Sequence, residues 1–568
     1  MSKGVTNGMY NGKLSMDTLP YTAMLGTCSV DSIAADSANT ASAYMTGHKS
    51  SVNALGVYAD RTPDSLDDPK QETIAELLRR TTGKSIGVVS DAEIEDATPA
   101  SVVGHTRRRA DKAEIVDMFY SVKPDVIIGG GSAYFLPQNV PGSKRKDDKN
   151  YVEMFQKEGY ALATSNTELS KAVKGNPDKL LGLFHTGNMD GVLDRKFLKK
   201  GTVSKFPDQP DLTDSMRAAL SVLSKNPEGF FLMLEAGLVD KYSHPLDWER
   251  AVYDTIMFDK VVAMAQEFCD KNPDTLLIVT GDHTHSISVI GTVDDNLPGE
   301  LMRDKVGIYA EAGYPAYKDE NGDGYPDDVN VSKRLAVFIG NYPDHYETYR
   351  PKMDGPFVPS VKDEKGHYIA NAAYKDVPGA QLRIGNLPRT ESTGVHSIDD
   401  LVVGARGPHA DAFRGFMNST EVFRIMSEAL ALGNKPKGGR FLPKPLPLLF
   451  PSSTGTIHEK TAPPLFCPAL PDGYGESGDA GTLVRRTVQR GRRPWAPVLR
   501  QGKKPCRATH HDQRIHGPAA QGRGSLLRAH TRTRGPVPVL PIRRGLARQH
   551  PRRLPFLQPE LRPEQYHH

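Results

Sequence analysis

Cysteine is scarce in this 568-residue chain: Cys28, Cys269, Cys467 and Cys506 stand far apart and form no CxxC pair. That excludes a disulfide framework and a zinc ribbon. No apolar run reaches about 18 residues, so no membrane-spanning helix is expected. The opening MSKGVTNGMYNGKL has no apolar stretch of the signal-peptide kind, and the chain as written is read as carrying no export signal. A dominant charge is also missing from most of the chain. The net +4 divides into a segment from Phe441 to His568, with 22 Lys+Arg against 7 Asp+Glu, and a remainder with 50 against 61. An acidic body argues against a nucleic-acid-binding core.

What is present up to Leu432 reads as an α/β protein. SIGVVS (85–90), PDVIIGGG (124–131), LLGLFHTG (180–187), GFFLMLEAG (229–237) and DTLLIVTGDH (274–283) are strand candidates. PKQETIAELLRRTTGK and LDWERAVYDTIMFDKVVAMAQEFCDKN are apolar at helical spacing. Such alternation predicts a mostly parallel sheet with helices on both faces, and sites outside the carboxyl ends of its strands. Residues 289–387, rich in Gly, Pro, Tyr and Asp, break the rhythm and read as an insertion over one end of the sheet. Past Gly438-Gly439, Arg, Pro, Gly and His dominate and apolar periodicity vanishes. Residues 433–568 are therefore expected to form a basic tail of low order. A tail for an acidic partner and a coding region read out of frame both explain it; the second is preferred.

Five segments put reactive side chains at element ends. In ADSANTASAYMTGHKS (35–50), Ser37 falls at the start of a small-residue helix, where free N–H groups and the dipole favour a phosphate dianion. A plain Asp36 or Ser37 N-cap is the alternative. In DAEIEDATPASVVGHTRRR (91–109), Thr98 as N-cap and Pro99 at the first position start a helix. Asp96 and Thr98 offer oxygens to a hard cation, and Arg109, three turns on, can grip a phosphate. A capped, salt-bridged surface helix fits as well. EAGLVDKYSH (235–244) ends a strand at Glu235 and adds Asp240, Lys241 and His244 at a spacing that suits zinc. TGDHTHS (280–286) sets Asp282 and His283 at a strand end, as natural metal ligands. Polar strand ends facing solvent compete with both. His396, just before LVVGARGP, stands where a structural histidine also fits. Within the insertion, DENGDGYPDD places Asp319, Asn321, Asp323 and Asp327 around Gly324 like a calcium-binding loop, or as a polar turn.

In this order the segments resemble the alkaline phosphatases. Asp36-Ser37-Ala38 with Thr46-Gly47 matches the family's nucleophile motif, and Asp96 to Ala100 matches its Asp-Ala-Thr-Pro-Ala motif. Arg109 falls on its phosphate-gripping arginine by spacing. Glu235, Asp240, Lys241 and His244 match without a gap, and the Asp-His pair matches Asp282-His283. His396 before Arg406-Gly407-Pro408 matches the last zinc histidine. The resemblance covers roughly residues 8–432 and implies that 1–432 is the catalytic domain. It implies hydrolysis of small phosphomonoesters through a phosphoserine on Ser37, with Arg109 and Lys241 catalytic. One zinc would take Asp240, His244 and His396. A second would take Asp282, His283 and the Ser37 oxygen. Magnesium would take Thr98 and Glu235, with Asp96 acting through water. Asp96 with Lys241 looks like the bacterial variant of the site. A homodimer that is periplasmic or secreted is also implied, with no specific nucleic-acid partner.

The family's first strand ends in Gly-Asp-Gly, whose aspartate touches zinc and magnesium. Asp17, Asp31 and Asp36 stand in no such turn. The chain as written is therefore expected to bind metal weakly, and addition of such a strand to restore it. Three other readings stand beside it: a phosphodiesterase or sulfatase of the same superfamily, an inactive remnant, and a nucleic-acid binder acting through the basic tail, whose binding would weaken steeply with salt. A phosphodiesterase of the same superfamily would need no Arg109 clamp on two free oxygens. A sulfatase would need a Cys/Ser-x-Pro-x-Arg context, which Ser37 lacks. A truncated, inactive remnant would bind metal or phosphate only.

Overall fold

The computed structural model describes residues 13–432, apart from 61 and 304. The expected basic tail, 433–568, lies outside the described residues.

Five parallel strands form one sheet in the order β4-β5-β3-β2-β6. They are β2 (Ser85–Glu93), β3 (Val126–Gly130), β4 (Ala161–Ala163), β5 (Leu180–Leu183) and β6 (Phe230–Glu235). β2, β3 and β5 are near-continuous apolar runs because both faces of a parallel sheet are covered. Their side chains divide by turns between two cores. Ile86, Val88, Ile127 and Leu181 enter one with the helices Ser37–Thr46, Ile74–Thr81 and Lys112–Val122. Val89, Val126, Ile128 and Leu180 enter the other with Leu212–Leu223 and Trp248–Lys271. Each buried Leu, Ile or Val contributes on the order of 2 kcal/mol. Helix starts follow local chemistry. Thr73 and Glu76 make a reciprocal capping box, and the Asp247 side chain accepts from Arg250 N.

A second sheet refines the parallel expectation. β1 (Tyr21–Gly26) runs antiparallel to β14 (Leu401–Arg406), which runs antiparallel to β7 (Leu277–Val279); β15 (Phe416–Asn418) lies parallel to β1. Its order is β15-β1-β14-β7. Ala23, Leu25, Leu401 and Val403 enter the first core, so that core spans both sheets.

The insertion has its own scaffold. β8 (Ile287–Asp294) pairs antiparallel with β9 (Lys333–Ile339), and two short pairs follow: β10 (His345–Glu347) with β13 (Gln381–Arg383), and β11 (Ser360–Lys362) with β12 (Tyr368–Ala370). It is fastened to Trp248–Lys271, where Tyr253 stacks on Tyr325 at 5.7 Å and donates its hydroxyl to Pro326 O at 3.1 Å. Near the strand ends, Asn341 Oδ1 accepts from Val395 N at 2.9 Å and so braces the loop carrying His396. Among the described residues, no helix is long and apolar enough to cross a membrane, and Cys28 and Cys269 are free thiols.

Candidate active site

The helix Ser37–Thr46 starts where the Asp36 carboxylate accepts from Asn39 N at 3.2 Å. It stops at Gly47, whose φ of +74° suits glycine; a Cβ there would lie 2.7 Å from Phe423. All ten of its residues are buried, because Ala38, Ala41, Ser42 and Ala43 let it lie close against its neighbours. Ser37 is thus held at a dipole end with only 5 % of its surface exposed. Its Oγ lies 3.0 Å from His283 Nε2.

The next segment is shaped differently from expectation. The helix begins at Ala97 with Asp96 as N-cap, spans four residues, and carries Thr98 and Pro99 inside it. Asp96 makes no side-chain cap bond because cations take its carboxylate. Arg109 Nη2 reaches Oδ1 at 3.1 Å, and Lys241 Nζ reaches Oδ2 at 2.8 Å. Arg109 is therefore not three helical turns along; the chain bends, and Arg109 N donates to Asn53 O at 2.8 Å. Its Nη1 meets Asp36 Oδ2 at 3.2 Å, one residue from Ser37. Burial raises the Asp96 pKa, but Lys241, Lys112 and Arg109 together hold it well below the usual carboxylate range. Burial likewise opposes the charge on Lys241, and Asp96 and Asp240 push its pKa up.

Beyond β6, the helix Leu238–Ser243 turns Asp240 toward a nest of imidazoles. Asp240 Oδ1 lies 2.6 Å from His285 Nε2, 3.3 Å from His244 Nε2, 3.4 Å from His396 Nε2 and 3.8 Å from His283 Nε2. His244 Nδ1 donates to Gly394 O at 2.7 Å, and His396 Nδ1 donates to Ala35 O at 2.9 Å. Because a carbonyl cannot donate, both Nδ1 atoms carry a proton, and both Nε2 atoms point inward. Those two Nε2 atoms are 3.1 Å apart. A shared proton or a bound metal ion between them relieves the repulsion of the two nitrogens. The residues thus fit a divalent ion. Asp240, His283, His285 and His396 each offer a ligand atom within 4.8 Å of the others. Burial lowers His283 to about 4, which keeps its imidazole neutral and fit to ligate.

Glu235, Thr98 and Asp282 form a second corner. Thr98 Oγ1 donates to Asp282 Oδ2 at 3.3 Å, Ser90 Oγ donates to Glu235 Oε2 at 2.5 Å, and Asp282 Oδ2 is 3.5 Å from His283 Nε2. Burial pushes Glu235 up to about 8, reinforced by the charges of Asp282 and Asp96.

Two participants escaped the sequence reading. His285 stands two residues after His283, a spacing that puts both imidazoles on one side of an extended segment. Asp36 shares Arg109, which its N-cap role hid. The carboxylates of the 319–328 loop accept from the loop's own backbone. Asp319 Oδ2 accepts from Gly324 N, Asp323 Oδ1 from Tyr325 N and Asp327 Oδ2 from Glu320 N, while Asp319 Oδ1 is buried without a partner.

An arginine shared by two acids beside a serine at a helix start has the donors to receive an oxyanion. Known proteins narrow that chemistry. A family model described as Alkaline phosphatase matches residues 3–432, and the chain belongs to this family of phosphoric monoester hydrolases. It is 27% identical over 458 residues to "Alkaline phosphatase" of Gadus morhua, covering 74% of this chain and 85% of that one. It is 28% identical over 412 residues to "Alkaline phosphatase 4" of Bacillus subtilis, covering 70% and 77%. The crystal structure of Thermus thermophilus alkaline phosphatase shares the fold with a TM-score of 0.52 at 22% identity, over 73% of this chain and 83% of that one. Members of the family use metal ions.

Proposed function

We propose that residues 1–432 are a catalytic domain that hydrolyses phosphomonoesters through a phosphoserine on Ser37. One observation carries this: Ser37 Oγ is buried at a helix N-terminus beside His283 Nε2, and Arg109 is anchored through the adjacent Asp36. Arg109 binds two free phosphoryl oxygens and keeps the phosphorus in line with Ser37. A bond forms from Ser37 Oγ to phosphorus as the bond to the alcohol oxygen breaks, and the proton given up by the Ser37 hydroxyl leaves on the alcohol. Water then attacks phosphorus, the bond to Ser37 Oγ breaks, and inorganic phosphate departs. Lys241 holds Asp96 and draws part of its charge away from Arg109. Asp240, His244 and His396 would hold one zinc, Asp282 and His283 a second, and Thr98 and Glu235 a magnesium with Asp96 acting through water. Bound there, the ions supply positive charge against the attacking and leaving oxygens. The grip on two oxygens favours a monoester over a diester. Calcium at Asp319, Asn321, Asp323 and Asp327 rests only on the unpartnered Asp319 Oδ1, and a calorimetric titration without uptake removes it. A homodimer that is periplasmic or secreted is part of the same reading.

Ser37→Ala tests it. Nitrophenyl phosphate turnover should fall by about 10⁴ or more, and phosphate should be trappable at low pH on Ser37 of the unaltered chain only. Retained turnover in Ser37→Ala, or a trapped phosphate elsewhere, overturns the assignment.

A further inference from the structure

Lys112 is the first residue of the helix Lys112–Val122. The N-cap, Asp111, makes no side-chain cap bond, because its carboxylate is taken by Ser65 Oγ at 2.6 Å and Thr106 Oγ1 at 2.7 Å. Lys112 points inward with 18 % of its side chain exposed. It pairs with Glu93 Oε2 and reaches Asp96 Oδ1 at 3.7 Å. That is the oxygen Arg109 Nη2 binds at 3.1 Å. Glu93 is held from its other side by Lys144 Nζ, 3.4 Å from Oε1. Charges of alternating sign therefore run from surface Lys144 through Glu93, Lys112 and Asp96 to Arg109, which Asp36 ties to Ser37.

We propose that Lys112 is a positioning residue that sets the phosphate affinity of Arg109, acting through Asp96; this rests on the reading of Ser37 and Arg109 given above. A phosphate and Asp96 compete for the same guanidinium. Charge that Lys112 places on Asp96 Oδ1 weakens the hold of Asp96 on Arg109 and leaves more of it for the ligand. Glu93 draws Lys112 the other way. The two residues, though paired, must therefore act in opposite directions. Removal of Lys112 leaves Asp96 Oδ1 to Arg109, with Lys241 still on Oδ2, and weakens phosphate. Removal of the Glu93 charge turns Lys112 fully to Asp96 and tightens it. A purely structural salt bridge would predict the same sign for both.

The test uses the full chain and inorganic phosphate. Its affinity is read by calorimetry in a Ser37→Ala background and as a competitive Ki against nitrophenyl phosphate in the parent. Lys112→Met should weaken phosphate by about fivefold and raise KM alike, with kcat changed by less than about twofold. Glu93→Gln should tighten phosphate by about twofold. Lys112→Arg should return the parent value, and the Glu93→Gln/Lys112→Met double variant should match Lys112→Met. Should Lys112→Met not fold, the sign of Glu93→Gln decides. Unchanged affinity in Lys112→Met, or weakening by Glu93→Gln, overturns the inference. Turnover that survives Ser37→Ala instead overturns the reading beneath it.

Discussion

The Asp240 corner and the Glu235 corner lie within one site, yet they solve burial of a carboxylate in opposite ways. Burial alone would raise both pKa values. At Asp240, His244 and Lys241 overcome it and hold the carboxyl well below its ordinary range. At Glu235 the neighbours are acids, and it rises to about 8. At the first corner this chain's own residues offset the burial of the carboxylate before any ligand arrives. At the second, burial and neighbouring acids keep most of Glu235 protonated at neutral pH until a positive charge is supplied. A divalent ion would therefore build on an assembled nest at Asp240, while at Glu235 it would itself switch the ligand on.

Asp240→Ala is expected to have the largest effect. It takes away the oxygen around which four imidazoles turn, and kcat/KM should fall on the order of 10³-fold with loss of zinc. Glu235→Gln should cost about ten- to a hundredfold, abolish stimulation by magnesium and leave zinc per chain unchanged. Metal analysis beside turnover separates the two corners. If Glu235→Gln strips zinc, they are one unit and the contrast fails.

Stability against pH sharpens the contrast without turnover. In metal-free protein, Glu235 is protonated in both folded and unfolded states below about pH 4.5. Between there and about 8 the unfolded chain has released a proton that the folded one keeps. Stability should fall with rising pH by up to about 1.4 kcal/mol per unit across that window. Asp91, raised to about 8 by burial and by Asp254, adds a slope of the same sign. The readout is accordingly the difference between parent and Glu235→Gln in thermal melts at pH 5 and 8. Magnesium at pH 8 should restore the parent and not the variant; parallel melting curves would refute the assignment to Glu235.

How much of this was legible in sequence follows from what each residue answers to. The parallel strands were readable because β2, β3 and β5 are apolar on both faces, and Trp248–Lys271 because its period is helical. β1 was not, since Tyr21, Thr22 and Met24 are exposed and mask the buried Ala23 and Leu25. Its partner β14 is 376 to 384 residues away in sequence, from Leu25 with Leu401 to Tyr21 with Ala405. The site segments were recognisable as motifs, but not their mutual geometry. Thr98 was expected to cap its helix, whereas Asp96 occupies that place through charges arriving from Arg109 and Lys241. Those contacts span 13 and 145 residues and leave no local signal. Lys112 is concealed for the same reason, because nothing near it in sequence names Asp96 as its neighbour.

The smallest expected effect is also the most exact probe of the weaker corner. Thr98→Val keeps the branched shape inside a four-residue helix and removes one hydroxyl. That hydroxyl donates to Asp282 Oδ2 at 3.3 Å, a long bond worth about 1 kcal/mol or less. It also favours the ionised form of Glu235. Turnover should fall by less than about tenfold, zinc should stay, and magnesium should bind several-fold more weakly. The metal-free melting curve should shift its pH window upward, because Glu235 loses a donor to its charged form. A loss as large as that of Asp240→Ala would mean that Thr98 supports the imidazole nest directly, and the two corners could no longer be treated as separate solutions to the same burial.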